Sequence, residues 1–95
     1  MKAFLYKTTG AVVEINPKNG TDFSLEELYE HIGCRVIDIL SLNDNNRLMV
    51  IDDEGKLNGA EINTTATMIA QNYNVIPIWD VIMGNVVVCD SGMIK

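Results

Sequence analysis

Apolar residues along this chain fall into short runs of two different periods, separated by clusters of turn-forming residues. Ala3-Phe4-Leu5-Tyr6 and Ala11-Val12-Val13-Glu14-Ile15 flank Lys7-Thr8-Thr9-Gly10, whose glycine can take the positive φ of a tight turn; the segment predicts a β-hairpin. Asn16-Pro17-Lys18-Asn19-Gly20-Thr21-Asp22 is breaker and turn chemistry throughout and is expected as an exposed loop. The period then changes. Leu25, Leu28, Tyr29 and Ile32 stand at i, i+3, i+4 and i+7, Ser24 and Glu27 have the spacing of a capping box, and Phe23 and Leu28 that of a hydrophobic staple. This predicts a helix over 25–32, closed by Gly33, with Glu26, Glu27, Glu30 and His31 on its solvent face.

Arg35-Val36-Ile37-Asp38-Ile39-Leu40 and Arg47-Leu48-Met49-Val50-Ile51 read as two antiparallel strands around the turn Asn43-Asp44-Asn45-Asn46, and their near-continuous apolar character implies burial of most of both faces. Beyond the turn at Asp53-Glu54-Gly55-Lys56, Asn63 can cap a second helix whose Ala66, Ile69, Ala70 and Tyr73 repeat the helical spacing. Thr64, Thr65 and Thr67 lower its intrinsic propensity, so packing must hold it. In Val75-Ile76-Pro77-Ile78-Trp79-Asp80-Val81-Ile82 the proline confines the segment to an edge, a bulge or a loop, whereas Val86-Val87-Val88-Cys89 reads as an interior strand. The order is ββ-α-ββ-α-β. It predicts one α+β domain with a small mixed or antiparallel sheet of about five strands and two helices.

Ninety-five residues suffice to bury a core without a covalent staple. The two cysteines, Cys34 and Cys89, sit in apolar runs without Cys-x-x-Cys spacing, so free buried thiols and a reducing, cytoplasmic setting are expected. No apolar run has the length of a membrane span or a signal peptide. Thirteen acidic against seven basic residues, a net charge of −6, disfavour nucleic acid as a partner through long-range repulsion.

Signatures of catalysis are weak. His31 is the only histidine, placed near a helix C-terminus where its charge is favourable, and two-histidine metal sites are excluded. Asp52-Asp53-Glu54 lacks the alternating ligand spacing of a calcium loop, and Gly55 and Gly59 belong to no phosphate-loop pattern, so neither a metal nor a cofactor is expected. One constellation has binding chemistry: the free N–H groups and hydroxyls at Asn63-Thr64-Thr65, with Lys56 in the preceding loop, form a potential anion site, although every helix start offers such groups. Trp79 and Tyr73 offer faces for stacking or anchoring.

Two motifs then carry a resemblance. Val50-Ile51-Asp52-Asp53-Glu54-Gly55-Lys56-Leu57-Asn58-Gly59 and Asp80-Val81-Ile82-Met83-Gly84-Asn85-Val86, together with Ser24-Leu25-Glu26-Glu27-Leu28, Gly33 and Asn63 with Ala66-Thr67, resemble a family of small proteins of unknown function carried by phages, plasmids and conjugative elements of bacteria. The chain departs from that pattern at Ala60-Glu61, where the family often has Leu-Pro. The resemblance implies a setting and no catalytic residue. In that setting a small acidic protein is expected to inhibit host defence by binding, either sequestering a nucleotide-derived signal or engaging a defence protein directly. The expected ligand site comprises Lys56, Asn58, Asn63, Thr64 and Thr65, with Asp80 added from the second motif, Trp79 as a stacking surface beside it, and a second subunit completing the pocket. The competing class is a small nucleotide hydrolase using His31, Asp80 or Asp38 as base; a structural or assembly accessory of the mobile element is a third reading.

Overall fold

The computed structural model describes residues 2–42 and 46–94. In chain order it contains β1 (Ala3–Tyr6), β2 (Val12–Ile15), α1 (Leu25–Ile32), β3 (Ile37–Ser41), β4 (Arg47–Asp52), α2 (Thr64–Asn72) and β5 (Val86–Asp90), followed by a 3₁₀ turn at Ser91–Met93. The five strands form one sheet in the order β2-β1-β5-β4-β3, and every pairing is antiparallel. The fold is therefore α+β with the element order that the periodicity predicts. The Asn43-Asp44-Asn45 part of the predicted turn lies outside the described residues.

A helix covers each face of the sheet. On one face Leu28 and Ile32 of α1 pack with Phe23 and Met93 over Leu5, Val50, Val87 and Cys89; on the other Ala66 and Ala70 of α2 pack with Ile82 over Met49, Val86 and Val88. Strand β5 lies at the centre and contributes alternate side chains to both cores, which is why its sequence is an unbroken apolar run rather than an alternation. Gly10 closes the β1–β2 hairpin at φ 94°, as the turn requires.

Helix α1 has the predicted bounds and cap. Ser24 Oγ accepts from the Glu27 N–H and Glu27 Oε1 accepts from the Ser24 N–H at 2.9 Å. Gly33, in the left-handed region, donates its N–H to Tyr29 O. Two side-chain assignments are corrected. Glu27 is buried rather than on the solvent face, because its second oxygen also accepts from the Lys18 N–H and so ties the 16–22 loop to the helix. Leu25 is 49 % exposed, because α1 lies over the middle of the sheet and its first turn overhangs the edge. His31 is half-buried, with its ring edge-on to Phe23 at 6.2 Å.

Backbone hydrogen bonds from Ser24 and Lys18 hold the Glu27 carboxyl below its ordinary pKa. The stabilisation that follows is present above the unfolded glutamate value and is lost as the pH falls through the lower folded-state value. Glu27→Gln is expected to melt below the parent at neutral pH, with the gap closing on acidification; thermal melts at a series of pH values measure it, and a constant gap would assign the effect to packing alone.

Further corrections concern β3 and the segment after α2. Strand β3 begins at Ile37 instead of Arg35 and is an edge strand, with Asp38 and Ile39 exposed, so its apolar composition does not mean burial on both faces. Val75–Ile82 forms no strand; Pro77 takes the loop alternative, with Gln71 Nε2 donating to Ile78 O and Asp80 O to hold the loop against α2. Both cysteines are free, but only Cys89 is buried, its thiol pushed up to about 11 by burial; Cys34 is half-buried. Among the described residues no helix is long and apolar enough to cross a membrane.

Candidate functional site

The two sequence motifs meet in space. Gly55 is buried under the 82–84 segment, and the N–H of Asn63 donates to Ile82 O while that of Gly84 donates to Glu61 O, at 2.8 Å each. Ile62 and Met83 form an isolated antiparallel bridge. Lys56 from the first motif donates to Asp80 from the second, and Asp80 Oδ1 also accepts from the Val81 N–H. The lysine side chain is 58 % exposed and the aspartate 33 %. The Lys56 hydrogen bond, with the Val81 N–H and the lysine charge, lowers the Asp80 pKa.

This unit forms one wall of a cavity of about 240 Å³. Asp38 and Leu40 of β3, Ile51 and Asp52 of β4, Asp53, Lys56, Ile76 and Asp80–Met83 line it. Four aspartates thus surround one lysine that is already paired. Beside it, Leu57 and Ile78 are 85 % exposed and Trp79 is 84 % exposed.

The expected site residues divide into two groups. Lys56 and Asp80 come together at the cleft; Trp79, next to Asp80 in sequence, is exposed and outside the cleft lining, and Asn58 is exposed two residues beyond Lys56. Asn63 does not join them. It is 1 % exposed, its Oδ1 caps α2 by accepting from the Ala66 N–H, and its Nδ2 donates to Tyr6 O and Gly84 O. Every polar atom of its side chain is engaged in holding the fold, so it has none to offer a ligand. Thr64 is exposed and Thr65 half-buried at the start of α2, outside the cleft lining. Three further cleft residues are acidic: Asp52 and Asp53, to which the sequence assigns no role, and Asp38, expected only as a base of the competing hydrolase, which comes from β3 and reaches the cleft through the β3–β4 pairing. Among the described residues no group of three or more histidine, cysteine, aspartate or glutamate side chains is arranged to hold a metal ion.

The architecture defines a class: a small antiparallel sheet with one helix on each face, carrying an acid-lined cleft at one edge. The chain belongs to the family described as a domain of unknown function, DUF3846, whose model matches residues 1–93. Comparison with the curated proteins and with the solved structures gave no match.

Proposed function

We propose that this is a non-enzymatic protein of a phage or other mobile element that counters bacterial defence by binding a protein partner with a basic surface. The observation that carries the reading is the cleft, lined by four aspartates and a lysine already neutralised by Asp80, with the exposed Leu57, Ile78 and Trp79 on the two segments that supply Lys56 and Asp80. Carboxylates in this number repel the phosphates of a nucleotide and attract lysine and arginine side chains, while an exposed tryptophan supplies the aromatic anchor on which protein interfaces concentrate their affinity. The mobile-element setting comes from the resemblance of the two motifs. A hydrolytic reading is less well supported, since Asp80 has a lowered pKa and is a weak base, and His31 packs on Phe23 away from the cleft lining.

Substitution of Lys56 separates this reading from sequestration of a nucleotide signal, because the two predict opposite signs. Lys56→Ala leaves the carboxylates without their cation; it is expected to preserve or strengthen binding of a cationic partner, with the melting temperature nearly unchanged because the pair is exposed. A nucleotide ligand would instead lose affinity. Thermal-shift screening against cyclic nucleotides and ADP-ribose derivatives provides the complementary measurement: flat curves are expected, and a specific stabilisation that disappears in Lys56→Ala would transfer the assignment to sequestration.

A further inference from the structure

The edge of the sheet at β3 has three properties that together define what can dock on it. The first is a row of main-chain groups. Asp53 N–H donates to Val36 O and Leu42 N–H donates to Arg47 O, each at 3.0 Å, so with the register Ile37↔Asp52 to Ser41↔Leu48 it is Val36, Asp38, Leu40 and Leu42 that turn their main chain toward β4. Ile37, Ile39 and Ser41 therefore turn their N–H and C=O groups outward, along an edge that no described strand covers. The second is an apolar groove on the α1 side, about 400 Å³, where Leu25 and Leu28 face Ile37 and Ile39, with Phe23 and Ile94 at its floor and end. The third is the acid-lined cleft on the opposite side of the same strand, to which Asp38 belongs.

We propose that β3 accepts an extended segment of a partner protein as an added antiparallel strand, and that this segment alternates apolar with basic residues. The inference rests on the protein-binding reading above and specifies its partner. Side chains of a strand point alternately to the two faces, so a segment paired with β3 sends every second side chain over the groove of Leu25, Ile37 and Ile39 and the intervening ones over the face of Asp38, whose cleft Asp53 also lines. The apolar set removes Leu25, 49 % exposed, and Ile39, 40 % exposed, from water. The basic set meets carboxylates on a chain of net charge −6.

Asp38 also controls access to the edge. Its Oδ1 accepts from the outward N–H of Ile39 at 2.9 Å, occupying the central donor that an added strand needs. A carboxylate that blunts an edge in this way discourages pairing with another copy of the same acidic chain. A lysine or arginine opposite Asp38 draws the carboxylate away and frees the donor, so only a basic strand opens its own docking site.

A fluorescent peptide of about eight residues alternating valine and lysine tests the proposal against the full chain by anisotropy, with a valine–glutamate peptide as control. Saturable binding of the lysine peptide alone is expected, with the largest amide shifts in NMR spectra at Ile37, Ile39 and Ser41. Ile39→Pro removes the outward N–H together with a part-exposed side chain of the groove, Ile39→Ala removes the side chain alone, and Leu25→Glu alters an exposed residue, so all three retain the fold; Ile39→Pro and Leu25→Glu are each expected to weaken binding by about tenfold or more, and Ile39→Pro more than Ile39→Ala. No binding of the lysine peptide, equal binding of both peptides, or binding unaffected by Ile39→Pro would overturn the proposal. So would a parent chain that is dimeric in solution and becomes monomeric on Ile39→Pro, since the edge would then belong to a second copy. Failure here with a protein partner still bound in a Trp79-dependent way rejects the β3 surface alone, whereas a nucleotide ligand rejects the underlying reading.

Discussion

Asn63→Ala is expected to destabilise the domain by about 2–4 kcal/mol, the combined scale of a lost helix cap and of part-buried carbonyls left without donors. For a chain of this size that is a fall in melting temperature of roughly 10–25 °C. The residue joins three elements: its Oδ1 starts α2 through the Ala66 N–H, and its Nδ2 bridges Tyr6 O at the end of β1 to Gly84 O in the segment entering β5. No other side-chain type of this size supplies one acceptor and two donors in that arrangement. Asn63→Asp distinguishes the two roles. It keeps the cap but points a carboxylate at two carbonyls, and it is expected to be at least as damaging as alanine; a stable aspartate variant would reduce Asn63 to an ordinary cap.

Local signals account for what the sequence made legible. The Ser24/Glu27 spacing and Gly33 specify α1 to the residue because capping is decided within one turn of chain. The central position of β5 was readable from Val86-Val87-Val88-Cys89, since only a strand buried on both faces tolerates such a run. Strand β3 misled for the same reason. Its composition resembles that of β4, and the difference between an edge and an interior strand is set by which strand pairs with which, information that no window of the chain contains. The proposed docking groove lies at the exposed Ile39 of this strand, where composition and burial disagree.

The site divides along the same line. Lys56 and Asp80 were identified from separate motifs, and their pairing depends on the 77–84 segment folding back over the 53–59 turn. The helix-start residues read as a ligand site in the sequence because free N–H groups and polar side chains coincide there, but a buried asparagine satisfies its environment before it can serve a ligand. Asp38 lies in no motif, and the motif that contains Asp52 and Asp53 does not show that they meet it, because convergence of residues from β3, β4 and the following turn is a property of register.

The fold-back of the second motif over the first leads to the second large effect, expected at Gly55. Its φ is not positive, so the backbone conformation alone would admit alanine, yet a Cβ there would stand 2.6 Å from the carbonyl oxygen of Met83 and 3.4 Å from that of Asp52. The obstructing atom is main chain and is held in place by the Ile62–Met83 bridge and by the Gly84 N–H on Glu61 O, so it cannot swing aside as a side-chain tip would. Gly55→Ala is therefore expected to cost about 1–3 kcal/mol, the range for overpacking, and to push the 80–84 segment outward, separating Asp80 from Lys56 and widening the cleft. Gly59 provides the contrast, with φ +69° and nothing within 4 Å of an added Cβ. There the penalty is conformational, so Gly59→Asn is expected to be nearly neutral because asparagine tolerates the left-handed region, while Gly55→Asn is expected to be as damaging as alanine. Thermal melts of the three variants resolve the two cases. If Gly55→Ala melts with the parent and keeps the chemical shifts of Asp80 and Met83, the close approach that joins the two motifs is not what holds the cleft together.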